Sequence, residues 1–455
     1  MRHDRPNILL LLSDDHSVPH LGCYGTPNVP TPNLDRLAAQ GMRFNRAYTT
    51  SPQCAPSRTS IFAGRSPVSL GVTRFAQPAR PDTVFFTDIL RQNGYFAGLI
   101  GRHHHLAGRM RHTPVEQDAL EAAGLLYAER RFDRVNTFTT RHDEGIERTG
   151  EGLRAFLDEV PEDAPFFLYL GFNQPHTPWT EEPAAFQPDP AQLCLPAHLP
   201  DLPVIRTCYA AFLKSIFNLD RAVGRVLDII DERGLADNTL VLFMGDNGEA
   251  LLRGKGTLYN SGNNVPFLLR WPGVVKPGSA TDALLSGEDL AATFLEAVGL
   301  PPAPLMTRAS FLPVLKGQAL TARKHVFVER GYHGGIGDIQ PSSRLDFSRA
   351  VITDHHIFIY NTTPEKPFAP VDHLGTPPWQ AICAAHEAGT LKPEHERIYF
   401  GTRPVYELYD LEKDPDQFHN LADDPEHKAT GCALRDVLIH WMIREQDYLP
   451  LPDYP

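Results

Sequence analysis

The sequence predicts an α/β protein in which a large mixed, mostly parallel sheet is flanked by helices on both faces. A smaller C-terminal α+β domain with an antiparallel sheet is expected to follow. Three observations carry this. First, short apolar runs alternate with helical stretches through the longer, N-terminal part of the chain, a pattern that builds a parallel sheet between two helical layers. Second, those runs are continuous rather than alternating, as strands covered on both faces require. Third, beyond residue 320 the pattern changes to short strands separated by turn residues. A length of 455 residues also exceeds one ordinary core, so a larger domain over 1–320 and a smaller second domain over 321–455 are expected.

The elements follow in order. Asn7 to Ser13 reads as a central strand, and Pro32 to Gln40 as a helix whose Leu34, Leu37 and Ala38 share a face before a stop at Gly41. Thr59 to Ala63 is a short helical stretch closed by Gly64. A helix over Thr83 to Gln92 precedes a strand over Tyr95 to Ile100, and a helix over Glu151 to Glu159 precedes a strand over Phe166 to Phe172. Tyr209 to Arg233 has helical periodicity up to Gly234; Thr239 to Gly245 and Val265 to Trp271 read as strands, and Leu290 to Val298 as a helix. In the C-terminal part, strands are expected over His325 to Glu329, Arg349 to Thr353, His356 to Tyr360 and Val405 to Leu411, with a turn at Asp354-His355 and a last helix over Leu434 to Arg444.

Composition removes several classes. A net charge of −12 argues against a nucleic-acid partner, although a local group of Arg, Lys and His is still able to bind an anion. No apolar run reaches the length of a membrane span. Ile8 to Leu12 is too short for a signal-peptide core and runs into Ser13-Asp14-Asp15. The expected compartment is therefore the cytoplasm, or the periplasm if a longer precursor is trimmed. The six cysteines show no CxxC spacing, which disfavours a zinc–thiolate site.

Two constellations carry chemistry. Cys54-Ala55-Pro56-Ser57-Arg58 comes just before the short helical stretch Thr59 to Ala63, and proline suits a first helical turn because its missing N–H costs nothing there. Cys54 then sits where free N–H groups favour negative charge, with Arg58 four residues on and on the same face. Asp14-Asp15 and Asp246-Asn247 each end a predicted strand. Singly, each pair is an ordinary turn former; brought together, they offer hard oxygen ligands suited to Ca²⁺ or Mg²⁺.

With these segments in place, the chain resembles the formylglycine-dependent sulfatases of the alkaline-phosphatase-like superfamily. Their Cys-x-Pro-Ser-Arg signature stands at 54–58, and Arg5-Pro6-Asn7-Ile8, Thr31 to Ala38 and Gly41-Met42-Arg43-Phe44 are similar to the family's usual opening. The resemblance covers nearly the whole chain. It implies that a maturase oxidises Cys54 to formylglycine, whose hydrate attacks sulfur with one hydroxyl and expels sulfate with the other. It implies one Ca²⁺ held by Asp14, Asp15, Asp246 and Asn247, with the residue at 54 completing the shell. Asn247 stands where related two-zinc phosphatases place histidine, which counts against a two-zinc site.

Around the sulfate, the resemblance implies Arg58, Arg102, His104, His176 and Lys255. Gly101-Arg102-His103-His104 is similar to the family's Gly-Lys-x-His with arginine in the lysine's place, and the run of histidines leaves His103 or His105 open as the participant. Pro175-His176-Thr177-Pro178 and Gly254-Lys255-Gly256-Thr257 resemble further family segments. The C-terminal segments look most like those of N-sulfoglucosamine sulfohydrolases and related bacterial glycan sulfatases, implying exo-action on a small sulfated sugar. His333, Arg344 and Arg349 are expected as sugar or carboxylate contacts. The competing expectations are a phosphonate monoester hydrolase or phosphodiesterase of the same superfamily, and a non-catalytic glycan-binding relative.

Overall fold

The computed structural model describes residues 5–75, 77–103, 114–124, 131–179, 185–307, 309–318, 323–333, 345–366 and 368–453. Among these residues the main sheet has eight strands: β1 (Asn7–Ser13), β2 (Met42–Phe44), β4 (Phe96–Gly101), β5 (Arg134–Asn136), β6 (Phe166–Gly171), β7 (Thr239–Gly245), β8 (Phe267–Arg270) and β9 (Ser279–Thr281), in the order β5-β4-β6-β1-β7-β8-β2-β9. β5, β4, β6, β1 and β7 run parallel, β8 is antiparallel to both its neighbours, and β9 is parallel to β2. β3 (Ala47–Tyr48) pairs with β10 (Leu285–Ser286) beside it.

The central strands alternate between two cores. Ile8, Leu10 and Leu12 of β1 join Leu240, Leu242 and Met244 of β7 on one face, packed by the helices Cys54–Ala63, Phe86–Gln92 and Asp289–Ala297. Leu9 and Leu11 join Val241 and Phe243 on the other, under Pro32–Gln40, His142–Glu159 and Pro203–Glu232. All five apolar residues of β1 from Ile8 to Leu12 are fully enclosed, each contributing about 1.5–3 kcal/mol of burial. That double coverage is why the strand sequence is apolar throughout rather than alternating.

The second sheet, β11 (Val326–Arg330), β12 (Ser348–Ile352), β13 (His356–Asn361) and β14 (Tyr406–Asp410), is antiparallel in the order β11-β12-β13-β14. The helix Lys428–Arg444 covers it through Leu434, Leu438, Trp441 and Met442. No helix among the described residues is long and apolar enough to cross a membrane. None of the six cysteines is in a disulfide.

One expectation is corrected here. Arg349 lies on β12, 1% exposed, with Nε and Nη2 on the Asp447 carboxylate at 2.5 and 2.9 Å and Nη1 donating to the Arg330 carbonyl at 2.9 Å. Its guanidinium is committed to pinning the C-terminal segment to the sheet, so it is not a sugar contact.

Candidate active site

Four adjacent parallel strands deliver the polar residues to one sheet edge. In the order β4-β6-β1-β7, their carboxyl ends lead into Arg102, the Asn173–His176 turn, Asp14-Asp15 and Asp246-Asn247, which is where open parallel sheets place ligands. The strand ends crowd closely. A Cβ at Gly171 would come within 1.9 Å of the Arg102 carbonyl, so only glycine lets Arg102 fold back over β6.

Backbone bonds then fix the acidic pair. The N–H groups of Asp14, Asp15 and His16 donate to the Gln174 carbonyl (3.0 Å), Asp246 Oδ1 (3.0 Å) and the Asn247 carbonyl (2.8 Å). Asp15 is held at φ 65°, a left-handed conformation that aspartate tolerates better than most residues. Thr49 Oγ1 and Ser57 Oγ both donate to the Asp246 carbonyl, tying β7 to the helix that begins at Cys54.

That helix starts earlier than its sequence suggests. It spans Cys54–Ala63, all ten residues buried, and ends at Gly64 with φ 61°. Cys54 Sγ is 0% exposed and lies 3.2 Å from Asp14 Oδ1 and 3.6 Å from Asp15 Oδ1. One turn on, Arg58 sends Nε to Asp246 Oδ2 (2.6 Å), Nη2 to Asp14 Oδ2 (3.1 Å) and Nη1 to the Tyr169 hydroxyl (2.8 Å).

Three further groups surround the cluster. Arg102 Nε is 2.6 Å from Asp14 Oδ2. Lys255 Nζ lies 2.8 Å from Asp15 Oδ1 and 3.1 Å from Asp372 Oδ2. His176 Nε2 faces Asp15 Oδ2 at 3.7 Å, while its Nδ1 contacts the Thr177 carbonyl. A carbonyl only accepts, so Nδ1 carries the proton of the neutral ring and Nε2 presents its lone pair to the site.

Burial dominates the titration of these groups. It raises Asp15 and Asp246 to about 6, against the opposing pull of Lys255 and Arg58 respectively. It lowers His176 to about 3, helped by Lys255. Burial alone would lower Lys255, but the charges of Asp15 and Asp372 prevail and raise it well above the usual lysine range. Burial also pushes the Cys54 thiol well up, with Asp14 adding to the effect. An unmodified Cys54 is therefore a protonated, poorly nucleophilic thiol.

The cluster suits a hard cation. Asp14, Asp15, Cys54 and His176 each place a donor atom within 4.8 Å of the others. The Asn247 side chain donates from Nδ2 to Asp15 Oδ1 (2.8 Å), whereas its buried Oδ1 has no hydrogen-bond partner among the described residues. An enclosed oxygen left unpaired costs about 1–3 kcal/mol, and an oxygen-seeking ion would remove that cost. With Asp246 and Asn247 beside Asp14 and Asp15, most of the available donors are carboxylate or amide oxygens, as Ca²⁺ prefers, while Cys54 and His176 add sulfur and nitrogen.

The structure thus brings together Asp14, Asp15, Cys54, Arg58, Arg102, His176, Asp246, Asn247 and Lys255. His104 and Arg344 lie outside the described residues, as does His105. His103 is buried at 4% exposure beside Arg102. His333 is 2% exposed and stands one residue removed from the cluster, 3.7 Å from Asp372 Oδ1.

A sulfatase family model matches residues 6–300, most of the chain. The chain belongs to the sulfatase family. It is 27% identical over 99% of its length to an ulvan-active sulfatase of Formosa agariphila, covering 77% of that protein. To human N-sulphoglucosamine sulphohydrolase it is 28% identical over 97% of its length, covering 90% of the relative. Among solved structures, one in complex with its substrate D-glucosamine-2-N,6-O-disulfate matches at TM-score 0.72 and 19% identity, over 99% of this chain and all of that one. The phosphonate monoester hydrolase of Silicibacter pomeroyi matches at TM-score 0.73 and 22% identity, over 98% and 96%. These likenesses confirm the expected fold, and family membership makes the chain a relative of sulfuric ester hydrolases.

Two parts of this sulfatase's site escaped sequence reasoning. Tyr169, inside β6, donates to the Arg102 carbonyl at 3.1 Å while accepting from Arg58; in sequence it is one more apolar strand residue. Asp372 sits in a loop without a motif, and no local signal marks it.

Proposed function

We propose that this sulfatase hydrolyses a sulfate ester or sulfamate on a sulfated sugar of the N-sulfo- or O-sulfo-glucosamine type, removing it from a chain end. In this reading the enzyme depends on calcium and on formylglycine made from Cys54 by a maturase. The observation that carries it is the seat of Cys54: an enclosed side chain in contact with Asp14 and Asp15, at the head of the helix whose Arg58 pairs with Asp14 and Asp246. The glycan-directed relatives support the sugar.

Asp14, Asp15, Asp246 and Asn247 would hold the calcium, which supplies Lewis-acid polarisation of a sulfate oxygen and of the nucleophile. Formylglycine at 54 would supply, as its hydrate, two hydroxyls on one carbon: one able to bond to sulfur as the bond to the leaving oxygen or nitrogen breaks, the other able to re-form the aldehyde as sulfate departs. The remaining work falls to the chain's own residues. Arg58 and Arg102 balance Asp14, so the acidic cluster tolerates an anion nearby. Lys255 keeps its proton at neutral pH and is the group supplied to hydrogen-bond a nonbridging oxygen and the bridging atom. His176 is neutral before substrate arrives; an incoming sulfate opposes Lys255's charge and favours a proton on Nε2, which it then offers to the leaving atom.

The phosphonate monoester hydrolase reading shares this fold, and rates separate the two. Matured enzyme is expected to turn over aryl sulfate or N-sulfoglucosamine faster than aryl phosphonate. Phosphonate turnover faster by orders of magnitude would overturn the proposal.

The metal gives a second prediction. Calcium is expected to raise the unfolding temperature, by an amount equivalent to about 2.7 kcal/mol at a hundredfold excess over Kd. Because Asp15 and Asp246 titrate near 6, protons compete with the ion below that pH. The calcium-induced shift should be larger at about pH 8 than at about pH 5. Equal shifts at both would contradict a carboxylate site.

A further inference from the structure

Asp372 enters the chemistry above only through its charge on Lys255. Its Oδ2 contacts Lys255 Nζ at 3.1 Å, and Lys255 in turn contacts Asp15. It therefore lies across the ammonium from Asp15. Asp14, Asp15 and Asp246 are fully enclosed, whereas the Asp372 side chain is 26% exposed. Of the carboxylates touching Lys255 among the described residues, Asp372 belongs to the more exposed side chain, although its Oδ2 atom is itself enclosed.

The segment carrying it is built into the catalytic loop. A Cβ at Gly256, which has φ +82°, would come within 2.9 Å of Val371 Cγ2 and 3.4 Å of His333 Nδ1, so glycine permits both the turn and the close seating. His333 is enclosed behind Asp372, its Nε2 3.7 Å from Oδ1 and its ring edge-on to Phe75 at 5.2 Å. Lys255 and His333 hold the Asp372 carboxylate from two sides, and Lys255 keeps it ionised well below the usual carboxylate range despite burial. An ionised carboxylate only accepts hydrogen bonds.

We infer that Asp372 is a specificity-determining residue: its carboxylate accepts a hydrogen bond from a hydroxyl or ammonium group of the sugar beside the sulfate. It rests on the sulfatase reading above and narrows it. A sugar with a free donor next to the reacting group is favoured. A sugar with a second sulfate or a carboxylate there meets the like charge of Asp372 and is disfavoured.

The test compares two substrates on one active site. Methyl N-sulfoglucosaminide offers hydroxyls beside its sulfamate; 4-methylumbelliferyl sulfate offers none. Asp372→Ala is expected to lower the ratio of kcat/KM for the sugar to that for the aryl sulfate by about tenfold or more, mainly through KM, with Asp372→Asn falling between. Methylating O3 of the sugar should cost the unaltered enzyme a similar factor and cost Asp372→Ala little further. The ratio is insensitive to partial loss of folded protein, because both substrates read the same active fraction. A residue that merely orients Lys255 lowers both rates together, so an unchanged ratio overturns the inference. If the matured, unaltered enzyme hydrolyses neither sulfate, the reading beneath fails and takes the inference with it; the aryl sulfate tells the two failures apart.

Discussion

Replacing Cys54 by alanine is expected to lower sulfate-ester turnover by at least about 10³-fold, in kcat rather than KM. The arginines, Lys255 and the acidic cluster all survive that change, so substrate still binds; what is lost is the atom that attacks sulfur. Serine is the sharper probe. Its single hydroxyl occupies nearly the same place, 3.2 Å from Asp14 Oδ1 if it follows the thiol, and is able to take the sulfuryl group once. Lacking a second hydroxyl, it has no route to release it. Cys54→Ser should therefore accumulate protein heavier by one SO₃ after incubation with substrate, with the adduct on the peptide containing position 54. Turnover by Cys54→Ser near that of the matured enzyme would remove the rationale for formylglycine altogether.

Arg58→Ala is expected to have the largest effect on stability. The guanidinium is fully enclosed, with Asp246 at 2.6 Å and Asp14 at 3.1 Å. Removing it leaves two buried carboxylates facing each other and Asp15, and breaking a buried pair from one side costs about 3–5 kcal/mol. Arg58→Lys keeps the charge but cannot serve Asp246, Asp14 and Tyr169 at once, because an ammonium lacks the planar fork. The denaturant midpoint should fall in the order arginine, lysine, alanine. Calcium should recover part of the alanine loss, since both the ion and Arg58 neutralise the same carboxylates. A loss below about 1 kcal/mol for alanine would mean that the pair is dispensable.

Much of this was readable before folding. The predicted bounds of β1 and β7 match those observed, because both strands are covered on two faces and end at polar residues that cannot continue inside the sheet. Asp14-Asp15 and Asp246-Asn247 therefore met as expected, by the parallel register that sets Ser13 against Gly245. Other elements were hidden for identifiable reasons. The helix at Cys54 has all ten residues buried and so no polar face to show a helical period. β2, β5 and β9 are three residues long, too short for alternation to register. The helices Pro377–Glu387 and Pro393–Phe400 went unread in a proline-rich stretch. Arg349 looked like a ligand contact because an arginine's partner is invisible locally; Asp447 lies 98 residues away. Asp372 was missed for the same reason, since only the folding of its loop onto Gly256 brings it to Lys255.

The most direct test of the central claim is the chemical state of residue 54 in active enzyme from its native host. The tryptic peptide spanning that residue should carry an aldehyde, detected by its mass and by capture with a hydrazide, and the captured fraction should scale with specific activity. A fully active preparation whose peptide retains an intact thiol at position 54 would contradict the account.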